Sequence, residues 1–140
     1  MHDFDGRLSQ LGFAASDFLL MPSLFEPCGL PQMQAPIYGS LAVAHNTGGL
    51  HDTVEHLDVD HHTGNGFRFD TYDSNGLFWA MDQAMAFWSL PAETREKEIA
   101  RIMAESLTRF NHEACARQYI ELYEQMLHRH LVKDFSDGKA

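Results

Sequence analysis

The chain has 140 residues, about the size of one domain, and its 20 acidic against 10 basic residues give a formal net charge of −10. This count excludes a nucleic-acid-binding surface, because such surfaces concentrate lysine and arginine, whereas here only Arg68 lies between Arg7 and Arg95. No apolar run approaches the ~20 residues that cross a bilayer, so no membrane partner is expected.

The first part of the chain predicts a helix, a strand and a second helix. Residues 4–14 carry apolar side chains at helical intervals. The apolar residues 18–21 predict a strand covered on both faces, because no polar residue alternates with them. A second helix is predicted over about residues 29–38, where the interior Pro36 predicts a kink or an early end, since proline removes a helical hydrogen bond.

The loop between this strand and the second helix, residues 22–28 (PSLFEPC), is the best candidate for a binding site. Open α/β sheets bind ligands at the carboxyl ends of their strands, where such a loop lies. Because basic residues are so scarce in the middle of the chain, a phosphate there would have to be bound by backbone N–H groups. Glu26 would be the charged group that faces the crevice.

Two more strands are predicted at residues 41–44 and 66–69, with the doubled glycine of residues 47–50 (TGGL) after the first of them. That glycine pair predicts either a second anion-binding nest or an ordinary turn with positive φ. Three apolar stripes at helical spacing follow, and each is predicted to be a core face. They comprise Leu77, Met81, Ala84, Met85 and Trp88; Ile99, Ile102, Met103 and Phe110; and Tyr119, Leu122, Tyr123, Met126 and Leu127.

This alternation predicts an α/β fold, a Rossmann-like parallel sheet with flanking helices that ends in two or three helices. An unpaired sheet edge would favour self-association of the chain.

Neither the histidines nor the cysteines predict a catalytic or metal site. Five histidines fall between residues 45 and 62, but without a ligand spacing known from metal sites, so we predict solvated loop side chains. A nucleophilic role for Cys28 lacks a histidine tied to it by a motif. Cys28 and Cys115 lie far apart without a paired spacing, which favours a reduced, cytoplasmic protein.

Several motifs together resemble a known family. Residues 22–30 (PSLFEPCGL) with Tyr38-Gly39, residues 47–50 (TGGL) with residues 52–54 (DTV), and residues 64–67 (GNGF) follow in this order. They resemble bacterial glycogen synthases and plant starch synthases, and residues 119–123 (YIELY) fit the C-terminal end of the same family. The resemblance implies a two-lobed GT-B glycosyltransferase, in which residues 1–132 would be the C-terminal portion of the ADP-glucose-binding lobe and residues 133–140 a polar tail.

The resemblance also implies roles for individual residues. Glu26 would be the catalytic carboxylate, which contacts the hydroxyls of the donor glucose and favours positive charge at its anomeric carbon. The other matched residues would bind the substrate. The backbone of residues 28–30 would hold the sugar and the distal phosphate, the loop at residues 47–50 would lie on the phosphate side, and an aromatic ring would stack on the adenine. These residues are Phe4, Cys28, Gly29, Leu30, Thr47 and Gly48.

The activity that the resemblance implies is retaining glucosyl transfer from ADP-glucose to an α-1,4-glucan, without a metal or cofactor. Two departures bear on it. His45-Asn46 stand where the family usually has basic residues, and the family's upstream arginine and lysine and its N-terminal lobe have no counterpart, so we expect this chain alone to be inactive. The alternatives are a non-catalytic half-lobe that binds a nucleotide or a partner, and a GT-B transferase that uses a UDP- or GDP-sugar.

Overall fold

A computed structural model describes residues 5–132, so that Phe4 and the predicted tail at residues 133–140 lie outside the described part. The chain divides into two compact units, which meet in sequence at Leu107 and Thr108. The elements in order are α1 (Gly6–Ala14), β1 (Phe18–Met21), α2 (Pro31–Gln34), a 3-10 turn (Ala35–Tyr38), β2 (Leu41–His45), α3 (Gly48–Thr53), β3 (Gly66–Phe69), α4 (Ser74–Trp88), α5 (Ala92–Arg109) and α6 (His112–Leu127).

The three strands form one parallel sheet in the order β1-β2-β3. Phe18 lies opposite Leu41, and Ala42 lies opposite Gly66. The central strand β2 is buried along its whole length, as expected for a strand with helices on both faces. The predicted α/β class and the three predicted strand positions are confirmed, and all three strands end at one edge of the sheet.

The core of the first unit lies on the two faces of β2, because successive side chains of a strand point to opposite faces. On one face Leu41 and Val43 pack with residues of β3, α4 and α5, including the fully buried Ile102. On the other face Ala42 and Ala44 pack with Leu50 of α3. The small alanine side chains leave room for the short helix α3 to lie close to the sheet.

The predicted second helix changes its geometry at the proline. Residues Pro31–Gln34 are α-helical, whereas Ala35–Tyr38 form a 3-10 turn that ends at Gly39 with φ +88. This confirms the effect predicted for Pro36. The helix α3, by contrast, covers residues for which the sequence predicted a turn and a polar loop, because its six residues include two glycines and little apolar periodicity.

Some predictions of burial were wrong. The β1 side chain of Leu20 is 50% exposed, although we predicted a strand covered on both faces. In α4, Met85 is 54% exposed because it points away from the sheet-facing stripe of Ala80, Ala84 and Phe87. The stripe of α6 is also exposed, with Met126 at 67%, and none of the residues of α6 is buried.

A buried ion cluster connects the loop before β3 to helix α5. The Glu98 carboxylate is 1% exposed and accepts hydrogen bonds from His62 Nδ1 and from Arg101 Nε, the latter at 2.9 Å. Arg101 also donates to the Gly64 carbonyl at 2.8 Å. Burial by itself raises the pKa of Glu98, but the hydrogen bonds from His62 and Arg101 outweigh it and hold this pKa below its ordinary value of 4.5.

This cluster predicts acid sensitivity that depends on Glu98. Because the folded-state pKa is depressed, the ionised carboxylate stabilises the fold above the unfolded-state pKa and loses this contribution as the pH falls through the folded-state pKa. We expect Glu98→Gln to lower the free energy of unfolding by about 1–3 kcal/mol at neutral pH, and to flatten its decline below about pH 4.5.

Urea unfolding at several pH values measures this, with the exposed Glu96→Gln on the same helix as the control. An equally steep acid decline in Glu98→Gln and in the unsubstituted chain would contradict the prediction.

Candidate functional site

Hydrogen bonds connect the segments that follow the three strands at the carboxyl edge of the sheet. After β2, the Asn46 N–H donates to the Phe69 carbonyl at 2.8 Å, and its side-chain amide donates to Asp70 Oδ1 at 2.5 Å. His45 Nδ1 donates to the Ser23 carbonyl at 2.8 Å. The candidate site is therefore built on a fixed edge rather than on independent loops.

Two loops at this edge lie in direct backbone contact: the first loop, residues 22–30, and the second loop, residues 46–49. The Gly49 N–H donates to the Glu26 carbonyl at 2.8 Å. A Cβ atom on Gly48 would lie 2.1 Å from that carbonyl oxygen, and one on Gly49 would lie 2.0 Å from the Cys28 carbonyl oxygen. Only glycine allows this approach, which Gly48 combines with a φ of +47.

This contact brings most of the predicted site residues together. Glu26 and Cys28 of the first loop touch the glycines that follow Thr47, and Gly29 and Leu30 continue the same loop. Of the predicted set, Phe4 lies outside the described residues. The second loop is not an open anion nest, since the N–H groups of Gly49 and Leu50 already donate to the carbonyls of Glu26 and Thr47.

The first loop offers hydrogen-bonding groups that the rest of the described chain does not use. Between Leu24 and Leu30 no backbone N–H donates a hydrogen bond within residues 5–132. The half-buried Glu26 carboxylate likewise has no ion pair or hydrogen bond to any described residue. A row of free donors beside a free carboxylate suits a ligand with both anionic oxygens and hydroxyl groups.

Between Arg7 and Arg95 the sequence has one lysine or arginine, Arg68. Arg68 donates through one guanidinium nitrogen to the carbonyls of His51 and Val54, at 3.3 and 3.1 Å. It therefore holds the C-terminal end of α3 in place. An anionic ligand at the two loops would be bound by backbone dipoles, as the sequence predicts.

Two side chains that sequence reasoning missed, Gln32 and Thr53, connect the two loops by hydrogen bonds. Gln32 is fully buried, and its amide nitrogen donates to the carbonyls of Cys28 and Gly29 and to the Thr53 hydroxyl. Thr53 in turn donates to the Gly49 carbonyl. Gln32 follows residues 28 and 29 by four and three positions, and this spacing is the signal that could have indicated such a contact.

Two of the five histidines that were predicted to be solvated are not, whereas His51, His61 and His62 are exposed as predicted. His45 is buried, with its ring 5.4 and 4.9 Å from the rings of Phe69 and Tyr72. His56 is half-buried, stacks on Trp79, and accepts the Arg68 backbone N–H through Nδ1. These histidines are structural rather than solvated. Among residues 5–132 no group of three or more His, Cys, Asp or Glu side chains is placed to hold a metal ion.

A cavity of about 320 Å³ opens at the same edge of the sheet. It begins at Pro22 of the first loop and is bounded by the end of β3 and the start of α4, where the Asp73 side chain caps the helix by accepting the Gly76 N–H. Its other lining residues are Phe69, Tyr72, Ser74 and Leu77. No described helix combines the length and apolarity needed to cross a membrane.

Sequence comparison finds relatives over most of the chain. A glycogen synthase of Thermosipho melanesiensis is 40% identical over 128 residues, which are 91% of this chain and 26% of that protein. Glycogen synthase 1 of Geobacter sulfurreducens is 40% identical over 128 residues, covering 91% of this chain and 25% of the relative. The chain thus spans about a quarter of the length of these curated relatives. No family model matches the chain.

Solved structures agree. The catalytic domain of starch synthase IV from Arabidopsis thaliana, bound to ADP and acarbose, matches with a TM-score of 0.77 and 38% identity over 91% of this chain and 26% of that one. Sucrose-phosphate synthase from Thermosynechococcus elongatus matches with a TM-score of 0.66 and 26% identity, over 91% of this chain and 30% of that one. These findings confirm the predicted α/β fold, which matches part of a GT-B starch synthase, and the resemblance of the sequence to glycogen and starch synthases.

The contact of the two loops predicts a strong effect of one methyl group. Gly49→Ala would place its Cβ against the Cys28 backbone and force the loops apart, so we expect a loss of about 1–3 kcal/mol in the free energy of unfolding. Gly12→Ala in α1 is the matched control, because its Cβ meets nothing within 4 Å, and we expect a gain of about 0.5–1 kcal/mol.

Thermal unfolding of both variants measures this difference. A Gly49→Ala chain as stable as Gly12→Ala would show that the close approach of the loops is not required.

Proposed function

Because the chain is related to the glycogen and starch synthases in sequence and fold over nine-tenths of its length, we propose that it binds a nucleotide sugar at the two loops. Residues 1–132 would be the C-terminal portion of the ADP-glucose-binding lobe, and residues 133–140 a polar tail. The whole protein would be a retaining glucosyltransferase that extends an α-1,4-glucan from ADP-glucose. The observation that carries this proposal is the free Glu26 carboxylate beside the row of free N–H groups.

Glu26 has the chemistry for a sugar contact. A carboxylate without a protein partner can accept hydrogen bonds from two hydroxyl groups of one ring, and so orients the ring. Its negative charge also favours the positive charge that develops at the anomeric carbon as the diphosphate leaves. The chemistry would then depend on positioning and on charge stabilisation, without a thiol nucleophile at Cys28.

The diphosphate would be held by the backbone. The N–H groups of Cys28, Gly29 and Leu30 are free, and the Thr47 side chain makes no helix-capping bond, so its hydroxyl is available as well. These neutral donors act against a net charge of −10, which lowers the affinity for an anion. We therefore propose weak binding of ADP to this chain.

A transferase with another nucleotide-sugar donor is the second candidate. The match to sucrose-phosphate synthase favours it, because that protein shares the arrangement of helices and strands but is named for a different product. A non-catalytic half-lobe is the third, and it differs from the other two in that no substitution at Glu26 would change a catalytic rate.

The proposed partners are ADP-glucose, the glucan and an N-terminal lobe of the kind expected in a GT-B protein. Within the described residues β1 pairs only with β2, so its outer edge is open to another strand, and a second copy of the chain is proposed there. We also propose a cytoplasmic location, which suits the two exposed and free thiols of Cys28 and Cys115.

Substitution of Glu26 tests the proposal on this chain. We expect Glu26→Gln to weaken ADP-glucose binding about tenfold, since a hydrogen bond to a charged group contributes about 1.5–3 kcal/mol, and to leave ADP binding nearly unchanged. NMR titration of the 15N-labelled chain measures both affinities, and the exposed Glu121→Gln in α6 is the control. Equal losses for the two ligands would show that Glu26 does not contact the sugar.

A second expectation concerns catalysis. The 140-residue chain should not transfer glucose to glycogen, because no described side-chain cation lies at the two loops to neutralise the leaving diphosphate. Incorporation of labelled glucose measures this. Rates near those of a full-length synthase would contradict it.

A further inference from the structure

We propose that Gln32 and Thr53 are positioning residues that set the direction of the N–H groups in the first loop and fix its distance from the second. Gln32 is fully buried, so it would act on a ligand only through the loop that it holds. The inference rests on the proposed function for its ligand, but its geometry stands independently of that function.

The amide of Gln32 has one orientation that satisfies its neighbours. Its nitrogen lies 2.8 Å from the Cys28 carbonyl oxygen and 3.1 Å from that of Gly29, and carbonyl oxygens only accept hydrogen bonds. The nitrogen must therefore face these two oxygens and donate to them. The amide oxygen is left buried without a partner among the described residues.

Thr53 extends the same chain of donors to the second loop. Its single hydroxyl proton is given to the Gly49 carbonyl, so the hydroxyl oxygen accepts from the Gln32 amide at 3.1 Å. One buried amide thus holds the first loop directly and the second loop through one hydroxyl. A separate hydrogen bond, from the Gly49 N–H to the Glu26 carbonyl, also joins the two loops.

Because the peptide bond is planar, the contacts with Gln32 also fix the direction of the free N–H groups. In a trans peptide the C=O of one residue and the N–H of the next point in opposite directions. Because the carbonyls of Cys28 and Gly29 point inward to Gln32, the N–H groups of Gly29 and Leu30 point away from it. Both of these N–H groups are among the donors that no described residue uses.

Gly29 is fitted to this amide. Its φ is +73, and a Cβ atom there would lie 2.4 Å from the Gln32 side-chain oxygen. A larger residue would push the amide away from the carbonyls that it holds. The glycine therefore leaves the space that the amide group of Gln32 occupies.

The test compares Thr53→Val, which lacks the hydroxyl, with Thr53→Ser, which keeps it. In the ligand-free chain we expect Thr53→Val to lower the heteronuclear NOE of the Gly29, Leu30 and Gly49 amides, whereas Thr53→Ser matches the unsubstituted chain. In titrations we expect about a tenfold loss of ADP affinity in Thr53→Val and no change in its affinity for adenosine, which lacks the phosphates.

Two further variants serve as checks on Thr53→Val. Thr53→Ala replaces Thr53→Val if the latter does not fold by circular dichroism, and Gln32→Met, similar in length but without donors, should reproduce its effects. Identical amide dynamics in the valine and serine variants would overturn the inference, as would equal losses for ADP and adenosine. If the unsubstituted chain binds no ADP, the proposed function fails, and the ligand-free dynamics alone decide the positioning role.

Discussion

The backbone contact between Gly48–Gly49 and residues 26–28 is the constraint on which the candidate site depends. A parallel sheet brings the ends of β1 and β2 to one edge, but it does not bring their loops into contact. The two glycines permit this contact, since a Cβ at either position would overlap a carbonyl oxygen of the first loop. The order of elements therefore explains where the site is, and the glycines explain its shape.

The distribution of charge explains why this shape matters. The net charge is −10, and Arg68, which donates to the carbonyls of His51 and Val54, is the one lysine or arginine in the sequence between Arg7 and Arg95. Affinity for an anion must then come from backbone N–H groups that point in a common direction, and neutral dipoles are effective only when they are fixed in advance. The hydrogen bonds from Gln32 to the carbonyls of Cys28 and Gly29 fix the direction of these N–H groups.

The sequence predicted what depends on local pattern and missed what depends on tertiary contact. The short apolar runs at residues 18–21 and 41–44 identified their strands, because a short uninterrupted apolar run is typical of a strand buried in a parallel sheet. The polar segment after β2 concealed the helix α3, whose stability comes from Leu50 and Val54 packing on the sheet. The position of the loop after β1 and the resemblance to a family both pointed to Glu26, whose role stays a prediction, but no pattern showed that Gln32 would be fully buried.

Two buried polar side chains of the first unit show how structural and functional roles differ physically. Glu98 has both carboxylate oxygens paired, with His62 and Arg101, as expected of a group that stabilises the fold. Gln32 has all of its donors paired and its acceptor unpaired. An apolar side chain at position 32 would avoid that unpaired acceptor, but it could not orient two carbonyls of the first loop. Gln32 therefore orients the carbonyls of the first loop, whereas Glu98 connects the loop before β3 to helix α5.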